Sequence, residues 1–193
     1  MIQLTYGHTN TFLIEGSNGY LLVDTDYAGK LSAFYQAIKQ HRIKVKDIAF
    51  VMATHYHPDH MGLIGDLMKQ GVKLLLIDAQ KSAVHFSDVI FDRDGIAADP
   101  IDETQATIIS CKESRSFLRN IGIAGQIIHT PSHSEDSVSL ILDDGRFFVG
   151  DLEPFEFIES YTDNDRLRKD WETLLSFNPQ KIYYAHRPER EAK

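Results

Sequence analysis

The chain has 193 residues, 42% of them hydrophobic and 25% charged, and a formal net charge of -8. That is enough for one soluble domain with a real core, and the acidic balance argues against a non-specific nucleic-acid binder, which needs a basic face. A nuclease stays open, because bound cations change the local field.

A single cysteine, Cys111, rules out an intrachain disulfide and fits a reducing compartment. The start, Met1-Ile2-Gln3-Leu4, shows no basic region ahead of an apolar signal stretch, and no apolar run approaches the ~20 residues that span a bilayer. The expectation is a cytoplasmic protein that meets neither membrane nor nucleic acid. Its expected partner is a small-molecule substrate, with a homodimer as the assembly left open.

Residues 2–26 read as strands with tight turns. Thr11 to Ile14 is β-prone, Gly16-Ser17-Asn18-Gly19 is a hairpin signal, and Tyr20 to Val23 returns. Asp24 ends that strand and reads as a turn cap, with orientation of a metal-binding histidine as the rival reading. Residues 29–42 are expected to be helical, with Leu31, Phe34, Tyr35 and Ile38 on one face. Asp47 to Ala53 suits a strand buried on both faces.

Immediately after it comes Thr54-His55-Tyr56-His57-Pro58-Asp59-His60. Pro58 suits the first turn of a helix, carried on by Leu63, Ile64, Leu67 and Met68 and closed by Gly71. Residues 72–77 form another strand, so the alternation is that of a layered α/β protein. Residues 79–110 are the least readable stretch: an insert over the site, a dimer contact or part of the core. A short helix over 113–120, a strand over 126–129, a hairpin from Val138 to Val149, a helix over 165–177 and a last strand over 181–185 complete the chain.

One pattern joins the candidate ligands. The cluster His55, His57, Asp59 and His60, then His133, then Asp151, then His186 each fall just past a β-prone run, and in α/β folds strand ends gather on one edge. Imidazoles with carboxylates suit zinc, and also manganese or iron. Residues two apart in an extended segment point the same way, which pairs His55 with His57. The break at Pro58 lets Asp59 and His60 turn toward a second ion. Six of the seven would divide into two sets of three, leaving one carboxylate to bridge. His8, His41, His85 and His129 are read as non-ligands, and Cys111 as an idle thiol with no adjacent base.

Thr54 to His60, Thr130-Pro131-Ser132-His133, Gly150-Asp151 and His186 together resemble the metallo-β-lactamase superfamily in order and spacing over nearly the whole chain. The resemblance implies a four-layer αββα sandwich over residues 1–193 as one domain. It also implies two divalent ions, zinc first among them. His55, His57 and His133 would hold one, Asp59, His60 and His186 the other, and Asp151 would bridge. A hydroxide shared by the ions would attack a small ester, thioester or lactone, with Asp59 as the catalytic residue that orients the nucleophile or shuttles its proton.

Several departures narrow the resemblance. His60 stands where typical β-lactamases of the commonest subclass carry arginine, which points to the glyoxalase II, lactonase and phosphodiesterase branches. Ser132 replaces a usual glycine, and Pro154 stands where quorum-sensing lactonases usually carry tyrosine. The chain has no room for the extra helical domain of glyoxalase II or the long insert of RNA-processing members. Phosphodiester hydrolysis is the alternative reaction. A di-iron redox or oxygen-binding protein is the second alternative, discounted because His57 replaces the glutamate usual there. Candidate substrate contacts are Tyr56, Phe155 and Arg187, with Phe157 a further aromatic after Asp151.

Overall fold

The computed structural model describes residues 1–162 and 164–192. Strands β1 (Ile2–Leu4), β2 (Thr11–Gly16), β3 (Gly19–Val23), β4 (Ile48–Met52), β5 (Lys73–Ile77) and β6 (Thr107–Ile109) form a six-stranded sheet in that order. Strands β7 (Gly125–His129), β8 (Val138–Leu142), β9 (Arg146–Phe148), β10 (Lys181–Tyr183) and β11 (Arg190–Glu191) form a five-stranded sheet, ordered β11-β10-β9-β8-β7. The helices are α1 (Leu31–Gln40), α2 (Pro58–Met61), α3 (Ile64–Lys69), α4 (Asp88–Asp94), α5 (Cys111–Asn120) and α6 (Asp165–Leu175).

Alternation along the strands sorts the side chains into layers. Phe12, Leu21, Val23 and Met52 of the first sheet meet Ile127, Leu140, Phe148 and Tyr183 of the second. Leu13, Leu22, Val51 and Leu74 point the other way, to Phe34 and Ile38 of α1 and Ile64 and Leu67 of α3. Behind the second sheet, Ile141, Phe147 and Ile182 pack on Leu167, Trp171 and Leu174 of α6. The order helix, sheet, sheet, helix is the expected αββα sandwich. Among the described residues no helix is long and apolar enough to cross a membrane.

The expected hairpin is present, with Gly16 paired to Gly19 across Ser17-Asn18. The helix expected after Pro58 divides in two. Thr25 N takes the carbonyl of His60 at 2.9 Å, and Thr25 Oγ1 accepts Leu63 N at 3.2 Å. Gly62 is pressed so closely on the 26–28 segment that a Cβ there would lie 2.2 Å from Ala28 N. Residues 79–110 contribute β6, the sixth strand of the first sheet, together with α4. Short 3-10 turns at Asp78–Ala83 and Glu103–Gln105 break any periodicity there. β11, a two-residue edge strand, was outside the sequence expectation.

Strand direction places the site. β3, β4 and β5 run parallel. β7 and β9 are both antiparallel to β8, and β10 is parallel to β9, so β7, β9 and β10 share one direction. Their C-terminal ends, with those of β3 and β4, deliver every candidate ligand to one edge of the sandwich.

Candidate metal centre

The chain leaves β4 extended through Thr54 to His57, and His57 then caps α2 with Pro58 as its first residue. The proline's fixed φ and missing N–H suit that position, and the turn swings Asp59 and His60 back beside His55. The loop after β7 supplies His133, the end of β9 supplies Gly150-Asp151, and the end of β10 supplies His186. Gly150 is left-handed, with φ 58°. A Cβ there would stand 2.4 Å from Thr54 Oγ1, so only glycine lets Asp151 come this close to the cluster. Main-chain bonds close the seam between the sheets, Val138 N to Thr54 O at 2.8 Å and Asn10 N to Ala185 O at 2.7 Å, while Ala185 N to Gly150 O at 3.0 Å extends the β9–β10 pair toward the site.

The structure brings all seven candidate ligands together. His57 Nδ1 lies 3.0 Å from His55 Nε2 and 3.2 Å from His133 Nε2. On the other side, His186 Nε2 lies 3.1 Å from Asp59 Oδ2 and 3.3 Å from His60 Nε2. Asp151 stands between these sets. Its Oδ2 is 3.4 Å from His60 Nε2, 3.7 Å from His133 Nε2 and 3.9 Å from His55 Nε2, and its Oδ1 is 3.4 Å from His186 Nε2.

Other residues hold these ligands in place. Asp24 accepts from His60 Nδ1 at 3.1 Å, from Thr54 N at 2.6 Å and from Thr54 Oγ1 at 2.9 Å. It therefore orients a histidine of the cluster, as the rival reading of the sequence had it. His186 Nδ1 donates to the carbonyl of His8 at 3.0 Å, and Asp26 Oδ2 fixes that stretch through His8 N and Thr9 N. His8 thus takes part through its backbone, not its ring. Asp136 Oδ2 accepts Tyr56 N at 2.7 Å, and buried Gln80 donates to the carbonyls of Ala53, Thr54 and Asp136. No sequence signal marks Asp26, Gln80 or Asp136, because each acts on residues far from it along the chain.

The charges follow from these surroundings. Burial pushes His55 well below the ordinary histidine range, and the neighbouring imidazoles push it further. Burial also lowers His133, with Asp151 offsetting only part. Burial works against a charged His60, but Asp24 and Asp151 outweigh it and raise the group to about 10. For Asp59, burial is outweighed by the His186 hydrogen bond and by His60, which hold it down at about 2. Asp151 is lowered likewise, against its burial, chiefly by His60. The carboxylates are ionised, and His55 and His133 are neutral with lone pairs to give.

These residues fit a pair of divalent cations. Nitrogens about 2.0–2.1 Å from one tetrahedral ion stand roughly 3.3 Å apart, close to the 3.0 and 3.2 Å contacts among His55, His57 and His133. Three donor groups meet the geometry of a metal site: His55 with His57 and His133, His55 with His60 and Asp151, and Asp59 with His60 and His186. Asp151 Oδ1 is buried yet makes no hydrogen bond among the described residues. A buried carboxylate oxygen without a donor is costly unless a cation takes that role.

The expected substrate contacts fare differently. Tyr56 is 0% exposed and belongs to the core behind the first sheet. It does not face substrate, since alternation that aims His55 and His57 at the site sends Tyr56 the opposite way. Its hydroxyl is buried without a hydrogen-bond partner among the described residues. Tyr56→Phe is therefore expected to keep turnover within about twofold and to add up to ~1 kcal/mol of stability in urea unfolding, because an unpaired buried hydroxyl is unfavourable. A tenfold loss of rate would return Tyr56 to the site.

Phe155 is 53% exposed and meets Trp171 edge-on, with ring centroids 6.2 Å apart. Beside the cluster, a cleft of about 380 Å³ is lined by Ser132, His133, Asp151, Glu153, Tyr161, Arg166 and Leu167. Tyr161, not Phe155, supplies its aromatic wall. Arg187 lines an adjoining hollow with Asp151 and His186, but its guanidinium is held 3.2 Å from Glu153 Oε1 and over the Phe157 ring. Phe86, unread in the sequence, stands half-exposed beside His57, ring centroids 5.7 Å apart. Ser132, in place of the usual glycine, is not left-handed, so serine is accommodated there without strain.

A two-sheet sandwich with His/Asp donor sets gathered at its strand ends is an arrangement that could hold metal ions. The chain belongs to the metallo-beta-lactamase superfamily, whose family model matches residues 4–186. It is similar to Beta-lactamase-like protein 2 homolog of Drosophila melanogaster, 26% identical over 186 residues, covering 95% of this chain and 60% of the fly protein. It is also similar to atrochrysone carboxyl ACP thioesterase of Aspergillus fumigatus, 26% identical over 156 residues, covering 77% of this chain and 30% of that protein. The chain thus spans less than two thirds of either relative. Among solved structures, a protein crystallised in a di-iron-bound form superposes with a TM-score of 0.70 at 23% identity, covering 99% of this chain and 94% of that one.

Proposed function

We propose that this chain is a dinuclear metal-dependent hydrolase, a single domain acting in the cytoplasm on a small ester, thioester or lactone. The observation that carries the reading is the position of Asp151, whose two oxygens reach histidines of both donor sets. His55, His57 and His133 would hold one ion and Asp59, His60 and His186 the other, with Asp151 shared. When bound, such a pair supplies Lewis acidity to the scissile carbonyl and lowers the pKa of water at the site.

The chain's own groups do the rest. Asp59, one-third exposed and hydrogen-bonded to His186, is placed to orient the attacking water. The cleft beside His133 accepts a small acyl group against Tyr161 and Leu167. The thioesterase activity named for the Aspergillus relative supports a thioester among the candidates. Arg166 and Arg187 beside the cleft favour phosphodiesters as the second reading. Zinc is the proposed metal, with manganese and iron as the rivals that the donor set also suits.

Elemental analysis of the purified chain and a panel of nitrophenyl acetate, acyl thioesters, lactones and bis-nitrophenyl phosphate test both readings. About two ions per chain and turnover of a carboxylic ester, thioester or lactone are expected. Turnover of the phosphodiester alone would replace the first reading by the second, and no metal uptake under metal-replete conditions would overturn both.

A further inference from the structure

His133 depends on its loop more than its partners do. It is the one member of its donor set that comes from the second sheet, and its side chain is 31% exposed against 1% for His55. Its aim is set by the backbone of residues 130–137. Downstream, the loop is tied down firmly: Ser137 N bonds Ser134 O at 2.9 Å, Ser134 Oγ bonds Asp136 Oδ1 at 2.7 Å, and Asp136 accepts Tyr56 N. Upstream, Thr130 is held within the strand pair by Ser137 O and by Ser139 Oγ at 2.9 Å each. Pro131 has no N–H to donate. Ser134 N donates to Ser137 Oγ at 3.2 Å on the downstream side of the histidine, and on the upstream side the adjacent tie is Ser132 N to Asp170 Oδ2 at 2.8 Å.

Asp170 is an unusual occupant of its position. It lies on the inward face of α6 beside Trp171 and Leu174 and is 6% exposed. That face otherwise serves the apolar core behind the second sheet. Burial pushes its carboxyl up, and the Ser132 hydrogen bond offsets only part of this. A carboxylate buried at such cost needs a reason, and the contact with the residue before His133 supplies one. Arg166, one turn earlier on α6, also reaches this loop through Glu135 at 2.6 and 2.9 Å. That pair is exposed, so it holds little.

We propose that Asp170 is a positioning residue for His133, anchoring the Ser132 amide so that α6 controls the donor set of His55, His57 and His133 without touching the other. The proposal rests on the metal reading above. It makes a split prediction, because among the described residues the hydrogen-bond partners of Asp59, His60 and His186 lie off α6: they include Asp24, Thr25, Thr54, the His8 carbonyl, Asp151 and Thr9.

The experiment is calorimetric titration of the metal-stripped chain with Zn2+, repeated with Co2+ to read the absorption band of each site. Asp170→Ala is expected to weaken one of the two binding events about 10–100-fold, the usual effect of losing a partner that orients a ligand, and to leave the other unchanged. Asp170→Asn keeps an acceptor oxygen for Ser132 N and is expected to restore the unaltered affinity. In a His186→Ala background, which leaves the three imidazoles of the first set intact, the weakened event should persist.

If Asp170→Ala fails to fold, Asp170→Glu, which pushes the loop by one methylene, reads the same split. Equal weakening of both events, or none, would overturn the positioning role while leaving the two-metal reading standing. An unaltered chain that binds no ion would overturn that reading and the role together.

Discussion

Asp151→Asn should reduce the bound metal from about two ions to one or none and lower kcat/KM by at least roughly 100–1000-fold, the scale of losing one charge-stabilising group at a reacting centre. Asp59 reaches His60 and His186, which belong to its own set. Asp151 reaches across, from His133 at 3.7 Å to His186 at 3.4 Å. Asparagine fits the same space but offers one neutral oxygen and an amide nitrogen that cannot ligate. That nitrogen would face imidazole nitrogens already 3.4 Å away. Metal content by elemental analysis, with kcat/KM on the best substrate of the panel, measures both effects. Two ions retained, with a rate within tenfold of the unaltered chain, would show that the centre does not need a shared carboxylate.

The second large effect is expected at Asp24, 2% exposed. It accepts from His60 Nδ1, Thr54 N and Thr54 Oγ1. Removing one partner of such a buried charged group typically costs about 3–5 kcal/mol. The backbone adds to this, because Asp24 has φ 59°, a left-handed conformation that aspartate and asparagine tolerate and alanine resists by about 1–2 kcal/mol. Asp24→Ala is therefore expected to lose about 4–7 kcal/mol of unfolding free energy in the metal-stripped chain. Asp24→Asn, which keeps the backbone preference and one acceptor, should lose less. Urea unfolding of both variants gives the comparison. A loss below about 1 kcal/mol for alanine would mean that His60 finds another acceptor.

Much of this centre was legible because its chemistry is local. Four ligands fall within six residues, and the other three follow strand-like runs, so the α/β principle of chemistry at strand ends gathers them. The hairpin and the helices α1, α5 and α6 were legible from periodicity and turn residues. Tyr56, a candidate substrate contact with core packing as the commoner outcome, was legible from a signal already in use: the alternation that pairs His55 with His57 also sends the residue between them inward. Asp24 could not be decided from sequence, because its bond to His60 exists only once β3 lies beside β4. Asp136, within the 130–137 loop, and Asp170, which holds it from α6, look like ordinary surface acids until that loop is folded. Residues 79–110 stayed opaque because two 3-10 turns and a three-residue strand carry no period to read.

Each donor triad takes two side chains from the edge of the first sheet and one from the second: His55 and His57 with His133, Asp59 and His60 with His186. An ion caught by either triad is therefore a clasp between the two halves of the sandwich. Its donors lie 76 residues apart in one triad, from His57 to His133, and 126 in the other, from His60 to His186. A partly folded chain brings no triad together, so the sheets must dock before the clasp can close. Once closed, each ion at 100 times its dissociation constant adds about 2.7 kcal/mol to the persistence of the docked state. On the proposed two-metal reading, metal starvation would then act on this protein twice, by removing the reagent and by loosening the seam between the sheets.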